Sequence, residues 1–359
     1  AVKDVVNQGN MSTLNCPEEV WLAEKLTQLH PWSDMVRFAR TGGEANAIAI
    51  RIARASTGLD PIAICGYHGW HDWYLATNLN NKSGLKEHLL DGLEVNGVPK
   101  NLEGSVFPFS FNCIEELEVI FNKEKLAAVK MEVQRSIPPK PGFLEKVRQL
   151  CNKNGSILIF DECTSGFRET YGGIHKKYEV SPDMAIFGKA LGNGYAISAI
   201  LGKKAIMNSA QTTFISSTFW TERIGPTAGL KTLEVMEREQ SWKKITQTGF
   251  QLRYRWQELA NKYDLQIEFN GIPSLSSFHI KSSNYIEYKT LITQEMLKDG
   301  FLATQTCYTC TCHTEKILDD YFISLEKVFK QIAECESGYL NVYDLLDGPI
   351  CHTGFKRLN

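Results

Sequence analysis

Four short runs of nearly unbroken apolar residues most constrain how this chain folds. They are PIAICGYH (61–68), LAAVKMEV (126–133), SILIFDE (156–162) and MAIFG (184–188). A strand buried on one face alternates apolar and polar residues, whereas a run this continuous needs cover on both faces. The stretches between them carry helical spacing. In EANAIAIRIARAS (44–56), Ile48, Ile52 and Ala55 mark one stripe, with Arg51 and Arg54 opposite. In GFLEKVRQLCNKNG, the apolar residues Phe143, Leu144, Val147, Leu150 and Cys151 recur at helical intervals, and Gly155 follows as a stop. Strand and helix alternate, so the expected fold class is α/β with a mostly parallel sheet covered by helices. MVRFART (35–41) and AISAILG (196–202) add further strands to it.

The pattern changes past about residue 240. GIPSLSSFHI is strand-like, and NYIEYKTLITQEMLKDG reads as a helix stopped by Gly300. YFISLEKVFKQIAE is an amphipathic helix. The chain has 359 residues, more than one core usually serves. A large α/β domain over 1–240 and a smaller α+β domain over 241–359 are expected. The stretch 77–105 is polar and weakly patterned, and is expected to be a long loop.

Net charge is −2, which gives no general attraction to nucleic acid or to an anionic membrane. No apolar run approaches the roughly 18–20 residues that span a bilayer. The opening AVKDVVNQGN carries no secretory apolar segment. Ten cysteines scattered through a chain of this size read as thiols of a reducing compartment, so a cytoplasmic protein is expected.

Chemistry collects at the ends of the apolar runs. In FDECTSGFR, Asp161 and Glu162 close a strand, and the carboxyl ends of parallel strands are where ligands bind. In RTGGEANAIAIR, Gly42 and Gly43 stand where a strand passes into a helix, so free N–H groups there can bind an anion or simply make a tight turn. Neither a P-loop nor a G-x-G-x-x-G is present. CGYHGWHDW (65–73) brings Tyr67, His68, His71 and two tryptophans together, a density suited to stacking on a flat ligand. His68 and His71 lack the partners that would complete a metal site, and no metal is expected. Lys189, in IFGKALGNGYAI, places an amine between two apolar runs. A desolvated lysine of that kind has a lowered pKa and is suited to Schiff-base chemistry, whereas a lysine snorkelling to water at a strand end would be ordinary, and the residue alone leaves both open. CYTCTCH (307–313) alternates like a strand bearing free thiols, and it lacks the second knuckle of a zinc ribbon.

A phosphate turn, a flat-ring platform, a carboxylate and an amine are what pyridoxal 5′-phosphate (PLP) uses. The chain resembles the class III (ω-type) aminotransferases of fold type I, most closely the glutamate-1-semialdehyde aminomutase-like branch. VRFARTGGEANAIAIRIARASTG, GYHGWHDW, IPPKPGFLEKVRQLCNKNGSILIFDECTSGFR, PDMAIFGKALGNGYAISAILG and STFWTERIGPTAGLKTLEVME carry the likeness, which extends over essentially the whole chain. The resemblance implies PLP held by Lys189 as an internal aldimine, with Asp161 on its ring nitrogen. It implies phosphate contacts from Gly42 and Gly43, stacking by Tyr67 with His68 beside it, and Cys163 on the opposite ring face. Glu132 matches a family glutamate near the cofactor and is counted with the catalytic residues. Thr218 would reach the phosphate of a partner subunit, which implies a homodimer acting on a small-molecule amino donor and a carbonyl acceptor. Against the family pattern, the chain starts several dozen residues late. Strict aminomutases carry a pocket glutamate, whereas FLATQTCYTCTCHTE has no carboxylate between Gly300 and His313. Amino transfer between molecules is therefore expected, with an isomerase that moves the amino group within one molecule as the alternative. The ending GPICHTGFKRLN resembles members linked to surface-polysaccharide biosynthesis, which implies an amino-sugar or amino-alcohol product.

Overall fold

The computed structural model describes residues 1–79 and 95–352. The centre of the expected loop at 77–105 and the end of the GPICHTGFKRLN segment lie outside those residues. The chain divides into two compact units, with the boundary between Gln240 and Ser241.

The first unit is built on a seven-stranded sheet. Its strands are β1 (Met35–Ala39), β2 (Ile62–Cys65), β3 (Val106–Pro108), β4 (Ala128–Glu132), β5 (Ile157–Asp161), β6 (Met184–Phe187) and β7 (Ser198–Gly202). The order is β1-β7-β6-β5-β4-β2-β3. Pairs from β3 through β6 are parallel, while β7 runs antiparallel to both β6 and β1. Two reversals restore direction, so β1 runs parallel to β6 and ends at the same edge of the sheet. The sheet is mostly parallel, as its apolar runs require, with β7 alone reversed. Every residue of β2, β4, β5, β6 and β7 is buried. The short strand β3 had no legible signal of its own.

The helix Gly42–Thr57 lies across this sheet. Thr41 caps it by accepting from the Glu44 N–H, and the Glu44 side chain reaches back to the Arg40 N–H at 2.8 Å. Gly58, left-handed at φ 70, ends it. Its buried face runs through Ala45, Ile48, Ala49, Ile52 and Ala53. Ala55 is exposed, so the stripe turns through the two alanines rather than to residue 55. Ile48 and Ile52 join one core with Ile62, Ile64, Ile159, Met184, Ile186 and Ile200 from the strands. The helix Phe143–Asn154 buries Phe143, Leu144, Val147 and Cys151 and stops at left-handed Gly155.

The second unit has an antiparallel sheet of β8 (Ile267–Asn270), β9 (Leu275–Ile280) and β10 (Thr306–Tyr308), in the order β10-β9-β8. Helices Ser241–Lys262, Tyr285–Lys298 and Glu315–Glu336 pack their apolar faces with it, around Trp256, Phe278, Leu291, Leu325 and Phe329. Only the first residues of CYTCTCH are strand. Cys310 and Cys312 lie exposed in the turn that follows, where His313 Nδ1 accepts from the Cys310 N–H. No helix of the described residues is long and apolar enough to cross a membrane.

Candidate active site

Strands β1, β2, β4, β5 and β6 all finish at one edge of the large sheet, and the residues singled out above cluster there. Asp161 ends β5, directly opposite Glu132 at the end of β4. Both are buried. The loop after β2 carries Tyr67 and His68, the helix after β1 starts at Gly42, and Lys189 follows β6 by two residues.

Asp161 is the most heavily engaged of them. His68 Nδ1 lies 2.9 Å from Asp161 Oδ2, and the Cys163 N–H donates to Oδ1 at 3.1 Å. Lys130 Nζ stands 3.5 Å from Oδ2, an ion-pair distance without hydrogen-bond geometry. Burial alone would raise the Asp161 carboxyl. The Lys130 charge and the His68 and Cys163 hydrogen bonds outweigh it and hold the group well below the ordinary carboxylate range. Burial and the Lys130 charge push His68 down to about 4 against the Asp161 interaction, so at neutral pH the ring is uncharged and donates through Nδ1. Its Nε2 is buried and without a partner among the described residues.

Glu132 is set differently. Burial pushes its carboxyl up to about 7, opposed by Arg135, whose Nη1 lies 3.6 Å from Oε1. Its Oε2 accepts the Tyr67 N–H at 3.1 Å. Gly66 makes this bond possible. Its φ of 107 lies in the left-handed region, and a Cβ there would stand 2.7 Å from Glu132 Oε2. Tyr67 is half-buried, edge-on to Tyr74, with the Arg135 guanidinium 5.8 Å from its ring centre. Glu162 does not share this site. It is buried and accepts from Ser165 Oγ, the Ile174 N–H and both the N–H and Nδ1 of His175, which pins the loop after β5.

Gly42 and Gly43 occupy the first turn of their helix, and among the described residues their N–H groups have no hydrogen-bond partner. The turn is tightly packed from the side. A Cβ on Gly43 would meet His71 Cε1 at 2.8 Å, and one on Gly42 would meet Cys163 Sγ at 3.3 Å. Gly188 approaches the same sulfur from β6, at 3.4 Å on the same measure. The Cys163 sulfur thus lies between the glycine turn and the segment bearing Lys189.

Lys189 departs from expectation in one respect. It is exposed in the single chain rather than enclosed between apolar runs. The covered strand ends at Phe187, and Lys189 opens a tight turn beyond it. Its φ of 42 is left-handed, a conformation that costs a non-glycine residue on the order of 1–3 kcal/mol and gathers at functional sites. Its Nζ donates to Thr164 Oγ1 at 2.7 Å. Its charge also acts on Glu132 and Cys163. Thr218 is not brought to this cluster. It starts a separate exposed turn, Thr218–Thr221, whose Phe219 carbonyl accepts from Arg40 Nη2.

Sequence reasoning missed Lys130 and Thr164. Lys130 carried a legible signal, a single charge inside the apolar run LAAVKMEV. Thr164 carried none.

The sequence model described as aminotransferase class-III matches residues 1–331. The chain belongs to the class III aminotransferase family. It is 32% identical to the 3-aminobutyryl-CoA aminotransferase of Cloacimonas acidaminovorans (strain Evry), over 93% of this chain and 79% of that protein. It is 30% identical to the glutamate-1-semialdehyde 2,1-aminomutase of Methanosphaera stadtmanae, over 87% of this chain and 79% of that one. A transaminase solved with PLP bound superposes with a TM-score of 0.81 at 25% identity, covering 92% of this chain and 81% of that one. This class III aminotransferase has the fold type I architecture and uses PLP.

The residues present fit that cofactor. The two unpartnered N–H groups at Gly42 and Gly43 suit a phosphate, the ionised Asp161 suits a protonated ring nitrogen, and Lys189 offers an amine at the same sheet edge. Among the described residues no group of three His, Cys, Asp or Glu side chains is placed to hold a metal ion.

Proposed function

We propose that Lys189 is the covalent anchor of PLP and the base of the transamination, that Asp161 pairs with the ring nitrogen, and that Gly42 and Gly43 bind the phosphate. The observation that supports this reading is the meeting of three strand ends. Cys163 stands two residues after Asp161, and its sulfur lies within 3.3–3.4 Å of where a Cβ on Gly42 or on Gly188, the neighbour of Lys189, would stand. When bound, the cofactor supplies the carbonyl that receives the amino group and a ring that withdraws electrons from the amine-bearing carbon. The chain's own residues do the rest. The Lys130 charge, with the His68 hydrogen bond to Oδ2, keeps the Asp161 carboxylate ionised. Tyr67 and Cys163 would hold the ring from its two faces, and Glu132 fixes Tyr67 by accepting its backbone N–H. Once displaced from the cofactor by the incoming amine, Lys189 Nζ would take the proton from the amine-bearing carbon and deliver it to the cofactor carbon that bore the aldehyde, and Thr164 Oγ1, to which the free amine donates at 2.7 Å, would hold it in place.

Borohydride reduction followed by peptide mapping tests the anchor. The label is expected on the peptide containing Lys189 and is expected to be lost in Lys189→Ala. A label on any other lysine in the wild-type protein removes this reading.

Amino transfer between two molecules is favoured over movement within one by the absence of a carboxylate between Gly300 and His313. Turnover is expected to require a separate amino donor. Isomerisation of a single amino aldehyde without one would reverse the choice.

The working unit in this proposal is a homodimer in which Thr218 of each chain completes the phosphate site of the other. Thr218 is exposed, and so are the neighbouring Phe214 (85%) and Phe219 (54%), and Trp70 (70%) beside the glycine turn. Sedimentation is expected to give a dimer, and Thr218→Ala to bind PLP more weakly. A monomer with full PLP affinity would dismiss it. All ten cysteines are unpaired, which supports a cytoplasmic location, to be checked by cell fractionation.

A further inference from the structure

Lys130 stands in the apolar core. Across the sheet, its row reads Ile64 on β2, Lys130 on β4, Ile159 on β5 and Met184 on β6. Those three neighbours belong to the core that packs against the helix Gly42–Thr57. Lys130 itself is fully buried, and its Nζ has no hydrogen-bond partner among the described residues. A buried amine at such a place is costly, and an aliphatic side chain would fill the row without that cost. The amine reaches one group of opposite charge closely, Asp161 Oδ2 at 3.5 Å.

Asp161 is also the group read above as facing the cofactor's ring nitrogen, and the inference rests on that reading. Oδ1 already accepts from the Cys163 N–H, and Oδ2 serves His68 and Lys130. A carboxylate offers about four acceptor positions, so room for a further N–H remains. Burial pushes the Lys130 amine below the ordinary lysine range and the Asp161 charge opposes this, so the amine is held as an ammonium by the same single charge that the ring nitrogen would draw on. The other titratable groups facing the cluster are Glu132 on the same strand, Cys163 after β5 and Lys189 after β6. Tyr74 faces Glu132 from the helix after β2. His68 is neutral at neutral pH and adds no charge.

We propose that Lys130 is a positioning residue that shares Asp161 with the cofactor's ring nitrogen and so limits how strongly that nitrogen holds its proton. Two sites that compete for one counter-charge titrate together. Protonation of the ring nitrogen is disfavoured while the Lys130 ammonium occupies Asp161, and loss of that ammonium leaves the whole carboxylate charge to the ring. The extent of ring protonation decides how strongly electrons are withdrawn from the substrate, so Lys130 tunes the reaction without touching substrate.

The test is the ring-nitrogen chemical shift of ring-15N-labelled PLP against pH, in wild type, Lys130→Met and Asp161→Asn. In Lys130→Met the apparent pKa of the ring nitrogen is expected to rise by about one unit or more. Lys130→Leu serves if the methionine variant does not fold. A titration curve identical to wild type overturns the proposal. If Asp161→Asn also leaves the curve unchanged, the pairing of Asp161 with the ring fails first. If it moves the curve and Lys130→Met does not, only the role of Lys130 is lost. A second measurement needs no variant. With 15Nζ-labelled lysine in the wild-type protein, the buried amine resonance should move on loading with PLP and not with the analogue that has carbon in place of the ring nitrogen. An equal response to both overturns the proposal as well.

Discussion

The backbone N–H of Tyr67 donates to Glu132 Oε2 across 3.1 Å, which ties the aromatic loop after β2 to the end of β4 through a buried carboxyl. Burial raises that carboxyl to about 7 from an ordinary 4.5, against the Arg135 charge. Between those two values the unfolded chain releases a proton that the folded chain keeps. The contribution of Glu132 to stability is therefore complete below about 4.5 and is lost as pH rises to about 7. Glu132→Gln removes this dependence. Relative to wild type it should gain on the order of 3 kcal/mol in urea unfolding between those limits. A stability difference that stays flat with pH would show that Glu132 ionises normally.

His30 and His68 act in the opposite sense. Burial depresses both to about 4 from 6.5. Here the unfolded chain binds protons first as pH falls, so the stabilising contribution is present above 6.5 and is lost on the way down to about 4. In NMR spectra of the folded protein, two histidine rings should stay unprotonated until about pH 4. If the rings assigned to His30 and His68 titrate near 6.5, the burial of these side chains is contradicted.

Removing the carboxylate from the Lys130 and Asp161 pair strands a buried ammonium. Asp161→Ala is expected to cost roughly 3–5 kcal/mol, and Lys130→Met is expected to be destabilising too, because it leaves the buried Asp161 carboxylate without its ammonium. The double variant should recover most of the loss. Additive effects in the denaturant-unfolding cycle would mean that the two groups do not interact.

Gly43→Ala probes the phosphate turn. The added Cβ would lie 2.8 Å from His71 Cε1, and that ring is stacked on Trp70 at 4.6 Å. The helix start is expected to shift, weakening PLP binding about tenfold, equivalent to about 1.4 kcal/mol. His71→Ala in the same chain should restore part of it. Unchanged affinity in Gly43→Ala, followed by fluorescence of the apoprotein, would exclude the turn as the phosphate site.

Local pattern determined much of this protein by itself. The apolar runs specified covered strands, the helical stripe and its glycine stop specified Phe143–Asn154, and a glycine pair marked the passage from strand to helix. Asp161 was legible because a carboxylate closing an apolar strand is conspicuous. These are short-range signals of side-chain period and backbone freedom, and they are written in consecutive residues. Tertiary structure alone decided the strand order, the reversal of β7, the pairing of the short strands β3 and β8, and the raised carboxyl of Glu132. Two lysines show the physical reason. Lys130 and Lys189 each follow apolar sequence, yet Lys130 lies in a row filled by Ile64, Ile159 and Met184, while Lys189 stands just past the end of its strand. Burial is conferred by neighbours that are distant in sequence, so the chain's order of residues could not tell the enclosed amine from the exposed one.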